Sequence, residues 1–284
     1  MKAQLSNDVG TFAEKAIPFF MQQEVASTVP LSVLLALAAG RKYGDGTPEL
    51  WTVEDGGAAV LFALRTPPFS LTMARGSVEA AAALGRARAH AEAAGTVETL
   101  PGVTAPKALA KAFAEAFAAE AGCAPRLATE MRLYDLERVQ HPKTLPGGAG
   151  RLAVSSDLDT AVELYSAFVD ELDVPSGGVR STVERGIADE RFYLWTIDGR
   201  DVSMALRGGD TPNSTRIALV FTRPEARGKG YAGACVAMAT QAVLDSGKRW
   251  ACLNADLANP TSNALYVRLG FRPVCDIDEW KLSR

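Results

Sequence analysis

Residues 220–237 read VFTRPEARGKGYAGACVA: an apolar strand end, a short polar turn, two glycines among basic residues, then an alanine-rich helix. This order constrains the fold more than any other stretch, because a strand that feeds a glycine-rich loop onto a helix N-terminus builds an anion site. The first turn of a helix has unpaired N–H groups, the helix dipole adds partial positive charge there, and glycine lets the backbone approach a ligand closely. Arg227 and Lys229 add full charges at the same place. A phosphate-bearing ligand fits such a loop.

Several phosphate-binding patterns compete for these residues. Gly228, Gly230 and Gly233 spell the dinucleotide fingerprint G-x-G-x-x-G, and Asp256 falls where a ribose-binding acid would stand. In that fingerprint, however, the first glycine follows its strand directly, whereas residues 223–227 intervene here. Too few residues follow Asp256 to complete a doubly wound sheet. Gly-Lys is followed by Gly230 and not by Ser or Thr, so no Walker A loop is present. The same residues fit R-x-x-G-x-A as Arg227, Gly230 and Ala232, shortly after a strand ending at Thr222. This resembles the acyl-coenzyme A loop of the GCN5-related N-acetyltransferases. The resemblance implies that the backbone of Arg227, Gly228, Lys229, Gly230, Tyr231 and Ala232 holds the coenzyme pyrophosphate. A solvated, glycine-rich basic turn is the bland alternative.

A second element, LNADLANPTSNALYVRLGFRPV over residues 253–274, is similar to the next motif of that family, L-x-V-x-x-x-N-x-x-A-x-x-L-Y-x-x-x-G-F. Leu253, Asn259, Leu265, Tyr266, Gly270 and Phe271 match; Ala255 replaces Val and Ser262 replaces Ala. Asn259 followed by Pro260 is a strong helix start, and Gly270 a helix stop. A lone tyrosine is ordinarily a half-buried core residue. The resemblance instead puts the Tyr266 hydroxyl near the coenzyme sulfur, with Asn259 and Ser262 in the coenzyme site.

The remaining elements follow from periodicity. RLAVSS is a short strand, and residues 157–172 form a helix with Leu158, Ala161, Val162, Tyr165 and Val169 on one face. RFYLWTID and DVSMALR are strands joined at Gly199, RIALVFT leads into the loop, RWACLNA follows the next helix, and a strand near 277–282 closes the chain. In the first half, LWTVEDGGAAVLFALRTPP from Leu50 resembles LWTIDGRDVSMALRGGDTP from Leu194. Residues 69–74 and 131–136 read as strands, and 78–94 and 106–121 as helices. The first half thus reads as a worn copy of the second, with only Met73-Ala74-Arg75-Gly76 where the loop would be. The implied fold is α+β: a mixed, mostly antiparallel central sheet flanked by helices, the acyl-CoA N-acyltransferase fold in tandem. The expected domains are 1–143, degenerate, and 144–284, catalytic, divided within the Pro/Gly-rich HPKTLPGGAG.

Composition excludes other classes. A formal net charge of -3 disfavours nucleic-acid binding. Four scattered cysteines without C-x-x-C, and two histidines, argue against a metal site and for reduced thiols in a cytoplasmic protein. Acidic residues precede any apolar run, against a signal peptide, and PLSVLLALAAG is too short to span a bilayer. Self-association is left open.

Acetyl transfer from a thioester to an amine needs a neutral amine, an aligned thioester, an oxyanion donor and a proton for the leaving thiolate. The resemblance implies a strand splayed or bulged near Val220 and Phe221, whose freed N–H groups bind the pantetheine arm, with Thr222 also in the coenzyme site. Tyr266 is then the general acid. Ile217, Ala218, Leu219 and Val220 supply no acid, so Asp256 is the candidate base, with a turn-capping role as its alternative. Asp170, Glu171 and Asp173 could face a cationic acceptor or simply solvent. The expected function is acetyl-CoA-dependent N-acetylation of a primary amine, the rival a non-catalytic acyl-CoA sensor.

Overall fold

The computed structural model describes residues 1–43, 46–142, 144–172 and 178–283. Lys143, in the expected inter-domain segment, and Asp173 lie outside the described residues. The first half runs β1 (Lys2–Ser6), α1 (Val9–Met21), α2 (Thr28–Ala38), β2 (Glu49–Asp55), β3 (Ala58–Arg65), β4 (Leu71–Met73), α3 (Val78–Ala93), β5 (Gly102–Pro106), α4 (Lys107–Ala121) and β6 (Ala124–Leu136). The second half repeats that order as β7 (Ala149–Leu152), α5 (Leu158–Leu172), α6 (Val179–Ala188), β8 (Phe192–Ile197), β9 (Arg200–Gly208), β10 (Ser214–Thr222), α7 (Tyr231–Asp245), β11 (Trp250–Asp256), α8 (Pro260–Arg268) and β12 (Arg272–Ser283).

The chain divides into two compact units. Unit 1 comprises Met1–Leu133, Ala255–Asn259 and Pro273–Arg284; unit 2 comprises Tyr134–Asn254 and Pro260–Arg272. In unit 1 the strands lie in the order β1-β2-β3-β4-β5-β12-β6. β4 and β5 run parallel, and β12 joins β5 antiparallel with Trp280 opposite Val103. Alternation along β2 and β3 sends Trp51, Val53, Leu61 and Ala63 to the face covered by α3 and α4. Leu50, Phe62 and Leu64 go to the face covered by α1 and α2. Gly56 and Gly57, with φ of 57° and 85°, close the β2–β3 hairpin in the doubly left-handed turn that suits strand twist.

Unit 2 has the order β11-β10-β9-β8-β7, with β10 and β11 parallel. Phe192, Leu194, Met204 and Phe221 pack under α5 and α6 with Ala161, Leu164 and Val183. On α7 the buried Cys235 thiol reaches the Tyr193 carbonyl. Asp198 and Gly199, with φ of 48° and 75°, make the same hairpin turn as their counterparts in the first half. Among the described residues no helix is long and apolar enough to cross a membrane, and no group of three or more His, Cys, Asp or Glu could hold a metal ion.

Candidate active site

The loop after β10 opens with a 3-10 turn, Pro224–Ala226, whose Ala226 is buried as an anchor. Arg227 is extended, and Gly228 and Gly230 then take φ of 76° and 88° on either side of Lys229. Left-handed backbone on both sides of one residue turns successive N–H groups toward a common point, and only glycine adopts it without cost. Gly230 is the N-cap of α7, and the first helical hydrogen bond runs from Ala234 N–H to the Gly230 carbonyl at 3.1 Å. Among the described residues, no acceptor takes the amides of Gly228, Lys229, Gly230, Tyr231, Ala232 or Gly233. Six consecutive unpaired amides at a helix N-terminus form an anion cradle.

The Arg227 side chain is committed within the protein. Its Nε donates to the Thr222 carbonyl over 3.0 Å, and its Nη2 pairs with the Glu171 carboxylate. The guanidinium also lies 5.6 Å from the Phe221 ring centroid. Glu171, read in the sequence as facing solvent or a cationic acceptor, thus fixes the loop arginine. Thr222 turns its hydroxyl to the buried Ser203 Oγ at 2.8 Å, and Ser203 donates to the Phe221 carbonyl at 2.9 Å. Tyr231 is buried, so its backbone rather than its ring is offered to a ligand.

Just before the loop, β10 breaks its ladder with β9. Ala218 pairs with Leu206 and Phe221 with Met204, so one extra residue is inserted on β10. Leu219 adopts φ of 52°, which a leucine takes only when its surroundings impose it. The bulge leaves Leu219 and Val220 outside the register with β9. Pairing of β10 with β11 extends from Ser214 opposite Trp250 to Arg216 opposite Cys252. The resemblance implied a break near Val220 and Phe221; the structure has its irregularity there.

Tyr266, on α8, is 6 % exposed, and burial pushes its phenol up to about 12. The buried ring keeps its proton more firmly than an exposed phenol does. Among the described residues no hydrogen bond reaches its phenol oxygen. Its ring meets those of Tyr134 and Phe271, with centroids 6.4 and 5.9 Å away. Asp256, exposed at the end of β11, accepts from the Ala258 N–H at 2.8 Å, and Asn259 N–H donates to the Asp256 carbonyl at 3.1 Å. Asp256 and Asn259 belong to unit 1, whereas the loop, Ser262 and Tyr266 belong to unit 2.

Sequence reasoning missed Tyr134 and Asn263, joined by a 2.7 Å hydrogen bond from Tyr134 Oη to Asn263 Oδ1. Asn263 sits inside the second motif. Tyr134 carries no local signal, being 132 residues upstream of Tyr266.

Residues 198–280 match the family model described as FR47-like protein. Solved structures similar to the whole chain include an acetyltransferase from the GNAT family from Colwellia psychrerythraea, at 11% identity and TM-score 0.61, with 100% of both chains covered. A GCN5-related N-acetyltransferase from Sphaerobacter thermophilus is 16% identical with TM-score 0.63, covering 99% of this chain and 95% of that one. A tandem GNAT protein from the clavulanic acid biosynthesis pathway is 12% identical with TM-score 0.58, covering 99% and 98%. The chain has the GCN5-related N-acetyltransferase fold, in tandem. No curated protein matches the sequence.

In the tandem fold, the first-half counterpart of the loop is the turn from β4 into α3. There Ser77 caps the helix, its Oγ accepting from Ala80 N–H at 3.1 Å. Arg75 donates to the Phe19 carbonyl at 3.0 Å and to Gln22 at 2.7 Å. A Cβ on Gly76 would come within 2.8 Å of the Leu61 side chain, so the turn is packed rather than open. Helix α4, counterpart of α8, contains no tyrosine. One acetyl-CoA is therefore expected to bind per chain; a calorimetric stoichiometry of two would overturn this assignment of the first half.

Proposed function

We propose that the chain is an acetyl-CoA-dependent N-acetyltransferase that moves the acetyl group to a primary amine by direct attack, with residues 144–284 as its catalytic part and 1–143 as a degenerate copy. The observation that carries this reading is the run of six unpaired amides between Gly228 and Gly233. Such a run suits a pyrophosphate better than a single carboxylate, because its donors extend over two positions of the loop and the first helical turn. Arg227 then acts by holding the loop shape through Thr222 and Glu171, and Lys229 adds charge from between the two glycines.

The residues have distinct tasks. The backbone of Val220, Phe221 and Thr222 aligns the pantetheine arm and donates to the thioester carbonyl as negative charge develops on its oxygen. Asp256 accepts a proton from the amine, directly or through water, and the neutral nitrogen attacks the carbonyl carbon. As the tetrahedral intermediate collapses, the C–S bond breaks, and Tyr266 gives its phenolic proton to the departing thiolate. The attacking nitrogen sheds its remaining extra proton to solvent to leave the neutral amide, and solvent reprotonates the phenolate. Asn259 and Ser262, at the start of α8, complete the coenzyme side of the site.

The raised phenol suits a proton donor, because Tyr266 stays protonated throughout the working range. The folded value of about 12 lies above the ordinary 10.0. The stability linked to this group is therefore whole below pH 10 and is lost as the pH rises through 12. Thiol release from acetyl-CoA over a panel of small amines, an aminoglycoside, amino acids and a peptide N-terminus tests the reading. Tyr266→Phe is expected to lower kcat about 100-fold, the ordinary scale of general acid catalysis, without changing acetyl-CoA affinity. In the same assay Asp256→Asn, whose amide oxygen still accepts from Ala258, is expected to be slow at neutral pH and to recover as the amine deprotonates in solution. A Tyr266→Phe enzyme with full kcat would remove the proton-donor assignment.

A further inference from the structure

Unit 2 contains a segment that the acyl-transfer scheme leaves unused. Residues 134–140, the last three of β6 and the four that follow it, hold α8 at both ends. At the N-terminal end Tyr134 Oη donates to Asn263 Oδ1 over 2.7 Å. At the C-terminal end Gln140 N–H donates to the Leu269 carbonyl over 2.8 Å. The Arg138 carbonyl lies where a Cβ on Gly270 would approach to 3.1 Å, so the helix stop and the segment are in close contact. The middle is tied to the start of β11, where Trp250 Nε1 donates to Glu137 Oε1 at 2.8 Å. The segment is thus a strap fixed at three points, not a free linker.

The strap acts where orientation matters most. Tyr134 is 3 % exposed, and its ring packs at 53° against Tyr266, which also meets the ring of Phe271 edge-on. The phenol oxygen of Tyr266 has no hydrogen bond among the described residues to orient it. Its direction is set by these two rings and by the pitch of α8. Asn263 lies three residues before Tyr266, on the same face of that helix. We infer that Tyr134 is a positioning residue: its ring sets the Tyr266 side chain, and its hydrogen bond to Asn263 sets the helix that carries it. Tyr134, Asn263 and Tyr266 all lie within unit 2.

The inference rests on Tyr266 as the proton donor, and the test separates the two. Tyr134→Phe keeps the ring and removes the hydroxyl; Tyr134→Leu removes both. Thiol release from acetyl-CoA is measured with the best amine of the panel, beside acetyl-CoA affinity by calorimetry and amide hydrogen exchange across α8. Tyr134→Phe is expected to lower kcat about tenfold, the scale of one hydrogen bond, with KM for acetyl-CoA unchanged and faster exchange in α8. Tyr134→Leu is expected to be slower again. A Tyr134→Phe enzyme with lower thermal stability but full kcat would make Tyr134 purely structural and overturn the inference. A full rate in Tyr266→Phe would instead remove the proton-donor reading and this inference with it. Slow Tyr266→Phe beside fast Tyr134→Phe removes the inference alone.

Discussion

Replacing Gly230 with valine is expected to abolish measurable acetyl-CoA binding while the protein stays folded. Gly230 holds φ of 88° as the N-cap of α7. An L-residue there costs roughly 1–2 kcal/mol, and a β-branched one more, so the backbone relaxes toward negative φ. That rotation carries the neighbouring amides off their common point. Each charge-assisted hydrogen bond is worth roughly 1.5–3 kcal/mol, so losing two weakens binding by about 100-fold or more. Packing is not the cause, because a Cβ at this position meets nothing nearer than the Pro146 side chain at 4.0 Å. Gly247→Val is the matched control: Gly247 has φ of 87° and equally open surroundings, but follows the C-terminal end of α7. It is expected to bear the same strain and bind acetyl-CoA normally. Undiminished binding by Gly230→Val in calorimetry would remove the loop from the coenzyme site.

The second large effect lies in unit 1. Arg88, fully buried on α3, donates from Nε to Glu49 Oε2 at 2.7 Å, from Nη2 to Glu49 Oε1 at 3.1 Å and from Nη1 to Glu92 Oε2 at 3.1 Å. Arg65 adds a 2.7 Å bond to Glu49 Oε1 and reaches the Phe69 and Thr99 carbonyls at 2.8 and 3.0 Å. Trp51 Nε1 donates to Glu49 at 3.2 Å, and Leu100 N–H to Glu92 at 3.0 Å. Two arginines and two glutamates thus balance in charge within one buried network. Arg88→Leu leaves a carboxylate uncompensated in the interior and is expected to cost about 3–5 kcal/mol in urea unfolding. The double variant Arg88→Leu with Glu92→Leu restores the balance and is expected to cost less than the single one. A loss below about 1 kcal/mol in Arg88→Leu, the scale of an exposed pair, would show that the network is not stabilising.

The two substitutions differ in how far the chain itself announced them. Gly230 stands out in the sequence, because a glycine among basic residues between an apolar strand end and an alanine-rich helix has few other uses. Arg88 does not: within a helix of alternating alanines and charges it reads as solvated, and only its closeness to Glu49, 39 positions away, buries it. The same contrast runs through unit 2. The start of α8 after Asn259, its end before Gly270 and the hairpin at Gly199 were legible because each depends on neighbours a few residues apart. The Glu171 partner of Arg227 and the Tyr134 partner of Asn263 were not, since they lie 56 and 129 positions away.

The sequence by itself determined the two hairpins, the strand-to-helix loop with the helices and strands that follow it, and the α+β fold, because these follow from periodicity, caps and left-handed glycines acting over a few residues. It did not reveal β1, α1, β5 or α6. Only the tertiary structure decided which strand β5 pairs with, what Arg227 is tied to and what flanks Tyr266. The strand closing the chain could satisfy its backbone beside any open edge of suitable register. Its place opposite β5, with Trp280 against Val103, follows from packing across the whole of unit 1. Residue pattern along the chain encodes the face a side chain turns to, but long-range contact chooses what it meets there.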